Sequence, residues 1–475
     1  MPPIIPEVKK FTVHNGLFIA VIFIIAAVSC SSVATRKKFY EPITADIQSQ
    51  NFEAAYLKIE KARENNKYAK KDRLLYYLDS GFAAHYATLF DTSNVKLTSA
   101  EDAAQELFTK SISRAATSIL LNDNVLEYSG EDYEVLYTNL LKTLNYLSIG
   151  EFDEAFVEVR RANLKLELLD QKYGDAAKAL QNGVEDDTAE VKINYDLAKV
   201  RFNNDAFARY LSMHMYAADG KMDDARIDYD YMVRAFREQP FIYNFPMPDV
   251  KYVPESDGKQ IVSVVGLAGL SPVKEAVNLR IRTDKDLGLV QVLYTDGEKK
   301  DTEYGHLPLP VKADYYFKFS LPKVASRESI VHGIRFLVDS EVVGNLQLIE
   351  DVSMVAEETF QAKKSMIYFR TIARAVFKGL ATHKAKEKVD TGGVGGWLKK
   401  AAIDVGADIT ENADLRCSQL LPGRIYVGDF ELEPGVYDLR VEFIGSGGGA
   451  IYSQEFPGYE VKSSGINLVE AVFLN

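Results

Sequence analysis

Cysteine is almost absent from this chain of 475 residues, which contains only Cys30 and Cys417. Two cysteines cannot build the disulfide framework of a small secreted scaffold, so an apolar core must hold the protein together. The apolar fraction of 47% and the length, typical of about two or three domains, are sufficient for such a core. We interpret Cys417 as a small buried hydrophobic residue and not as a nucleophile, because the nearest histidine in the sequence is His383.

An excess of positive charge is also lacking: 68 Asp and Glu outnumber 56 Lys and Arg, so the net charge is −12 and the pI is about 5.2. A nucleic-acid surface needs clustered Lys and Arg, so we expect no nucleic-acid partner. The six histidines are scattered without a second His or Cys at ligand spacing, which predicts no metal site. Motifs of serine hydrolases, zinc proteases and phosphate-binding loops are missing as well. The sequence therefore predicts no cofactor and no catalytic residue.

Long apolar runs are missing except near the N-terminus, where a 12-residue apolar stretch, Leu17 to Val28, follows Lys9 and Lys10. As a helix this stretch rises about 1.5 Å per residue, so it is too short to cross the ~30 Å hydrocarbon core of a membrane. A positive segment followed by a short apolar segment is typical of a cleaved export signal.

The sequence AVSC that ends at Cys30 resembles the lipobox of bacterial lipoproteins, although Ala27 stands where Leu is usual. The resemblance implies that residues 1–29 are a signal peptide and that Cys30 becomes the lipidated mature N-terminus, with fatty-acyl chains such as palmitate. Ser31 follows the cysteine in place of Asp, which implies the outer membrane, facing the periplasm. The alternative is a plain signal anchor with a buried cysteine.

Residues 40–240 contain almost no proline and few glycines, and their apolar residues recur at three- and four-residue spacing, which predicts helices. GEFDEA at Gly150 is repeated as GKMDDA at Gly220 and, more weakly, as QNFEAA at Gln50. The offsets of 70 and 100 residues are about two and three times the ~34-residue period of tetratricopeptide repeats. We expect a degenerate tetratricopeptide-like array with Gly150 and Gly220 in its turns; the alternative is an irregular helical bundle.

Residues after these turns have two expected roles. Ala155 and Ala225 are expected at close crossings of paired helices, where only a small side chain fits. Arg160, Arg161 and Asn163 are expected beside the apolar stripe of their helix, where they are suited to bind the backbone or a carboxylate of a partner peptide. The alternative is that the two arginines pair with neighbouring glutamates.

Strand patterns replace helical ones after a proline-rich segment at 241–259, whose aromatic residues indicate that it packs against a neighbour. The sequence predicts an α+β multidomain chain, in which an α-helical tetratricopeptide-like array precedes a mostly β domain with an inserted long helix pair. The expected divisions are a signal peptide at 1–29, a tether at 30–39, the helical domain at 40–240, a linker at 241–259, a β domain at 260–350, a helical segment at 351–412 and a C-terminal β-hairpin region at 413–475.

Several stretches together resemble a family of largely uncharacterised proteobacterial lipoproteins with tetratricopeptide-like repeats and a C-terminal β-rich region with a Pro-Glu-Gly-like turn. Among them are LNYLSIGEFDEAFVEVRRANLKL from Leu144, YFRTIARAVFK from Tyr368 and ADLRCSQLLPGRIYVGDFELEPGVYDLRV from Ala413. The resemblance spans most of the mature chain. The chain departs from the family at Cys417-Ser418, where an aromatic residue is usual. The resemblance implies a class and a location and leaves the biochemical activity open.

Two functions are compatible with these features. The first is a membrane-anchored scaffold that binds envelope proteins through the helical array and assists assembly of an envelope complex or surface polymer. The second is a periplasmic enzyme or regulator that acts on peptidoglycan or polysaccharide, which needs positioned carboxylates or a nucleophile with its base. We favour the scaffold because no catalytic motif is present, and the oligomeric state stays open.

Replacing Cys30 with Ala is expected to leave the protein unprocessed or unanchored, because an export signal without a lipid site gives no stable membrane attachment. Membrane fractionation and gel migration of the wild type and Cys30→Ala measure this outcome. Identical behaviour of the two proteins would contradict the lipoprotein interpretation. Sedimentation of the wild type with inner-membrane vesicles would contradict the outer-membrane assignment.

Overall fold

The computed structural model describes residues 37–115, 126–168, 202–284, 289–295, 301–308, 316–361, 364, 367, 371 and 413–475. Helices occupy the N-terminal half of this chain and strands most of the C-terminal half. The expectation of a mixed helical and β protein is confirmed at this level. The signal peptide, Cys30 and most of the expected helix pair at 351–412 lie outside the described residues.

The helices begin at Lys37, inside the expected tether, and those of the N-terminal half end at Glu238. They are α1 (Lys37–Gln48), α2 (Phe52–Glu64), α3 (Arg73–Tyr86), α4 (Phe90–Ala115), α5 (Asp132–Ser148), α6 (152–168), α7 (Ala206–Ala218) and α8 (Met222–Glu238), with α9 (352–361) following the seventh strand.

One type of turn closes four helix hairpins in the described part of the chain. The turn residues Gln50, Thr88, Gly150 and Gly220 have φ values of 63°, 59°, 80° and 74°. Each turn residue donates its N–H to the carbonyl three residues back, and the next residue donates to the carbonyl five residues back. This pattern is a Schellman motif, which satisfies carbonyls at the end of the first helix and reverses the chain.

A small residue follows each turn residue by five positions. These residues, Ala55, Ser93, Ala155 and Ala225, are completely buried. In the second hairpin the hydroxyl of Ser93 donates to the carbonyl of Gly81 at 2.8 Å, which brings α3 and α4 close together. The second hairpin has Thr and Ser where the sequence repeat has Gly and Ala, and for that reason the sequence did not predict it.

The strands form two sheets. They are β1 (Gln260–Leu270), β2 (Val273–Asp284), β3 (Leu289–Thr295), β4 (Asp301–Pro308), β5 (Tyr316–Ala325), β6 (Gly333–Val338), β7 (Glu341–Asp351), β8 (Pro422–Leu432), β9 (Gly435–Ile444), β10 (Ala450–Val461) and β11 (Asn467–Phe473). A seven-stranded sheet has the order β10-β9-β6-β7-β8-β1-β11, and a four-stranded sheet has the order β4-β3-β2-β5. Strands from 260–350 and 413–475 therefore share one sheet.

Strand β1, which lies between β8 and β11, is buried on both faces. Val262 and Val264 pack inside the curled sheet, whereas Val265 and Leu267 pack against the helices. A strand covered on both faces needs apolar residues at consecutive positions, which explains why this segment does not alternate.

The seven-stranded sheet curls until its edges nearly meet. The N–H of Val472 on β11 donates to Oε1 of Gln454 on β10 at 3.0 Å, and the rings of Phe473 and Tyr452 stack at 4.8 Å. Side chains, and not a backbone ladder, thus join the edges of a nearly closed sheet.

Within the expected C-terminal β-hairpin region, β9 and β10 form an antiparallel hairpin, but the last strand does not pair with either of them. β11 runs parallel to β1, with Val265 opposite Glu470, while β10 pairs with β9. The physical reason is burial: Ala471 packs inside the sheet and Val472 packs against the helices, so β11 needs cover on both faces. A place beside β1 provides that cover. A place beside β10 does not, because most of β10 is exposed.

The proline-rich segment 241–259 packs along the sheet, as expected from its aromatic residues. The hydroxyl of Tyr243 donates to Oε2 of Glu350 on β7 at 2.9 Å. Farther along, the N–H of Asp249 donates to Oε1 of Gln347 at 2.6 Å. These bonds fix the segment to β7.

One apolar cluster is continuous from the helices to the outer face of the sheet. It includes Leu140 of α5, Tyr210 of α7, Val265 of β1 and Val427 of β8. The helices and the seven-stranded sheet therefore share a core.

Thr88→Gly is expected to raise the free energy of unfolding by about 0.5–1 kcal/mol. The left-handed conformation costs a residue with a Cβ about 1–2 kcal/mol, and Gly avoids this cost. Gly also has greater entropy in the unfolded chain, which reduces the gain in stability by about 0.5–1 kcal/mol. Thr88 is exposed, so the change removes no packing. Urea unfolding measures the effect. In the control Thr98→Gly, at an exposed position inside α4, we expect a loss of a few tenths of a kcal/mol. A destabilised Thr88→Gly would contradict the turn assignment.

Candidate functional site

A groove of about 310 Å³ lies between α6 and the α7–α8 hairpin. One wall consists of Arg160, Asn163, Leu164 and Glu167 of α6. The spacing of three, four and seven residues from Arg160 puts these side chains on one face of the helix. The groove lies within the volume range of ligand pockets, at the lower end.

Arg160 is exposed and is held by aromatic rings. Its Cζ atom lies 4.1 Å from the centroid of Phe156 and 5.7 Å from that of Tyr216. Both distances are within the range of a cation–π interaction. Within the described residues Arg160 has no ion pair, so its positive charge is available to a ligand.

Asn163 lies almost one turn farther along α6 and is half-buried. Its Oδ1 atom is buried and accepts no hydrogen bond from any residue that the structure describes. A buried acceptor without a donor costs about 1–3 kcal/mol, so a ligand N–H at this position would be favourable.

The floor of the groove is a satisfied ion pair. Nη1 of Arg209 donates to Oδ1 of Asp228 at 2.9 Å, and the hydroxyl of Ser212 donates to Oδ2 of the same carboxylate at 2.6 Å. Arg209 also lies 4.4 Å from the ring of Tyr231. These groups hold α7 to α8, and their charges cancel.

Apolar side chains complete the groove. Leu164 on α6 is 54% exposed, and Ile227 on the opposite wall is 44% exposed. Exposed aliphatic residues that face each other across a groove gain free energy when an apolar side chain covers them.

Arg161 lies outside the groove. Its Nη1 atom is 2.9 Å from Oε1 of Glu158 and 3.9 Å from Oε2 of Glu101. The buried Lys142 contacts the same two glutamates, and Lys165 lies 2.7 Å from Glu101. The sequence analysis grouped Arg161 with Arg160, but the structure places Arg161 in a charge network that joins α4, α5 and α6.

A serine, a histidine and an aspartate meet between α7 and the sheet. Nε2 of His214 lies 3.1 Å from Oδ1 of Asp429, and the hydroxyl of Ser263 donates to the same oxygen at 3.0 Å. The serine therefore bonds the acid directly, whereas a catalytic triad places the histidine between the two. All three side chains are buried, which assigns them to the helix–sheet contact.

His85 has a similar structural role. Its Nε2 lies 2.8 Å from Oε1 of Glu470 on β11, and its Nδ1 lies 2.6 Å from Oδ1 of Asn145. Burial opposes the charged ring, but the charge of Glu470 and the hydrogen bonds to Glu470 and Asn145 together outweigh it and raise the pKa of His85. The pair joins α3 to the sheet.

Cys417 is buried, and burial raises the pKa of its thiol to about 12. The reactive form of cysteine is the thiolate, so this residue is chemically inert at neutral pH. Cys30, the expected lipidation site, lies outside the described residues.

Within the residues that the structure covers, no three acidic, histidine or cysteine side chains form a group able to hold a metal ion. None of the described helices has both the length and the apolarity needed to cross a membrane.

Comparisons of the chain with protein-family models, with curated proteins and with solved structures give no match. The site is therefore interpreted from its own geometry.

The sequence did not predict the groove residues of the α7–α8 hairpin, among them Arg209, Tyr216 and Ile227. Its pattern predicted the turn at Gly220, but functional residues were expected only after Gly150. The sequence did contain a signal for the groove, because the apolar and exposed Ile227 interrupts a polar face of α8.

Glu101→Gln is expected to destabilise the protein above pH 5, by roughly 2 kcal/mol after allowance for partial exposure. Burial alone would raise the pKa of Glu101, but the charges of Lys165 and Lys142, together with hydrogen bonds from Lys165 and Asn139, outweigh it and lower this pKa from 4.5 to about 2. The charge network therefore stabilises the protein fully above pH 4.5 and loses its effect as the pH falls through about 2.

Urea unfolding at several pH values between 2 and 7 tests this prediction. The difference between the wild type and Glu101→Gln should shrink as the pH falls. Glu154→Gln, at an exposed position of α6, is the control and should differ little from the wild type at any pH. A difference for Glu101→Gln that is independent of pH would contradict the prediction.

Proposed function

We propose that this chain is a lipid-anchored, protein-binding scaffold of the bacterial envelope, in which a tetratricopeptide-like helical array holds a segment of a partner protein. The observation that carries the proposal is the groove wall on α6. Arg160 presents a charge and Asn163 an acceptor, both without a polar partner among the described residues, beside the exposed Leu164. Such groups are suited to bind a peptide.

The shared hairpin turn supports the array. Four hairpins reverse with the same hydrogen bonds and bury a small residue at the same offset. Stacked hairpins of one type produce an extended concave surface, which is the binding surface of helical repeat proteins. The groove lies between α6 and the next hairpin, where such a surface is expected.

The proposed attachment rests on the sequence around Cys30. Its lipid would hold the scaffold at the outer membrane, in the periplasm, where envelope proteins are the available partners. The described histidine–carboxylate pairs and Cys417 are buried, so they favour a structural interpretation over the alternative of an enzyme acting on peptidoglycan or polysaccharide.

Site-specific photocrosslinking in cells tests the scaffold. A benzophenone amino acid at position 227 lies in the groove, and one at Val436, which is 70% exposed on β9, is the matched control. We expect a discrete adduct from position 227 that mass spectrometry assigns to an envelope protein. The double substitution Arg160→Ala with Asn163→Ala should remove that adduct and leave the thermal melt unchanged.

Two outcomes would contradict the proposal. The first is that position 227 gives no adduct beyond that of the Val436 control. The second is that the double variant lowers the melting temperature and keeps the adduct, which would assign Arg160 and Asn163 to structure.

A further inference from the structure

The groove has an excess of unpaired charge. Arg209 and Asp228 neutralise each other at its floor. The other charged lining residues are Arg160, Glu167 and Asp224, and none of them has an ion pair within the described part of the chain. A ligand that complements these charges carries a carboxylate for Arg160 and a basic group for Glu167 and Asp224.

These charges have a defined separation. Glu167 follows Arg160 by seven residues, which is about 10 Å along α6 at a rise of 1.5 Å per residue. Leu164 lies between them and faces the groove with Ile227. The order along this wall is therefore a cation, an aliphatic side chain and an anion.

The conformation of the ligand follows from Asn163. Its buried Oδ1 needs an N–H donor. The interior of a helical ligand keeps its backbone N–H groups in its own hydrogen bonds, whereas an extended polyproline-II segment leaves them free. That conformation repeats every three residues with a rise of about 3.1 Å, so residues three apart lie on one side and about 9 Å from each other. This separation matches the distance between Arg160 and Glu167.

We propose that the groove binds an extended peptide segment with an acidic residue, a basic residue three positions away and an aliphatic residue between them. The acidic side chain bonds Arg160, whose aromatic contacts hold the guanidinium in place and leave its in-plane N–H donors open. The basic side chain lies at Glu167, the aliphatic side chain contacts Leu164 and Ile227, and the backbone donates to Asn163. The inference rests on the proposed function.

Fluorescence anisotropy with the full-length chain in detergent micelles tests this specificity. The probe is a labelled peptide, Gly-Glu-Leu-Pro-Lys-Gly, with acid and base three positions apart. A peptide with Gln in place of Glu should bind about tenfold more weakly, because a hydrogen bond to a charged group is lost. A peptide of the same composition with adjacent charges, Gly-Leu-Glu-Lys-Pro-Gly, should bind about threefold more weakly, because one exposed ion pair is lost.

Variants of the protein separate recognition from folding. Arg160→Gln should remove the preference for Glu over Gln in the peptide. Arg226→Gln is the matched control, since Arg226 is an exposed helical arginine that does not line the groove, and it should keep the preference. Arg160→Glu should bind a peptide with Lys in place of Glu more tightly than the wild type does.

Equal binding of the Glu and Gln peptides, or no measurable binding at millimolar concentration, would overturn this specificity. The photocrosslinking experiment is independent of it. An adduct at position 227 with no peptide preference would leave the scaffold supported and refute the ligand assignment, whereas no adduct at position 227 when Arg160 and Asn163 are intact would refute the scaffold itself.

Discussion

The join between helices and sheet depends on Ser418, in the segment that precedes β8. Its N–H donates to Oε1 of Glu134 on α5 at 2.5 Å, and its hydroxyl donates to Oδ1 of Asp79 on α3 at 2.9 Å. Asp79 also accepts hydrogen bonds from Tyr40 and Tyr68. Burial raises the pKa of both acids to about 7, so these hydrogen bonds must offset a large desolvation cost. A single residue of the β-rich half thus organises three separate helical segments.

Helix α7 connects this interface to the groove. One of its faces supplies Arg209 and Tyr216 to the groove, and the opposite face binds the sheet. There the hydroxyl of Tyr210 donates to Oδ1 of Asp429 at 2.8 Å, beside His214. The sheet therefore fixes the position of the groove floor without contributing to its lining.

Local patterns in the sequence predicted the helices and the turns at Gly150 and Gly220, because these depend on neighbours within a few residues. The hairpin at Thr88 escaped prediction because the turn tolerates a strained residue when tertiary contacts hold it. The position of β11 and the contribution of Ile227 to the groove escaped it because they depend on partners far away in the sequence. Periodicity reports which face of an element is apolar, and it does not report which element covers that face.

The arrangement of β1 also determines when the protein can fold. Val265 lies opposite Val427 and Glu470, which follow it by 162 and 205 residues. A ribosome therefore completes β1 long before either neighbour exists, whereas each helix hairpin is complete soon after it is made. Distant pairings of this kind form slowly and late. The emerging chain therefore keeps β1 unpaired until β8 has been made, and the sheet is completed only with β11, the last strand.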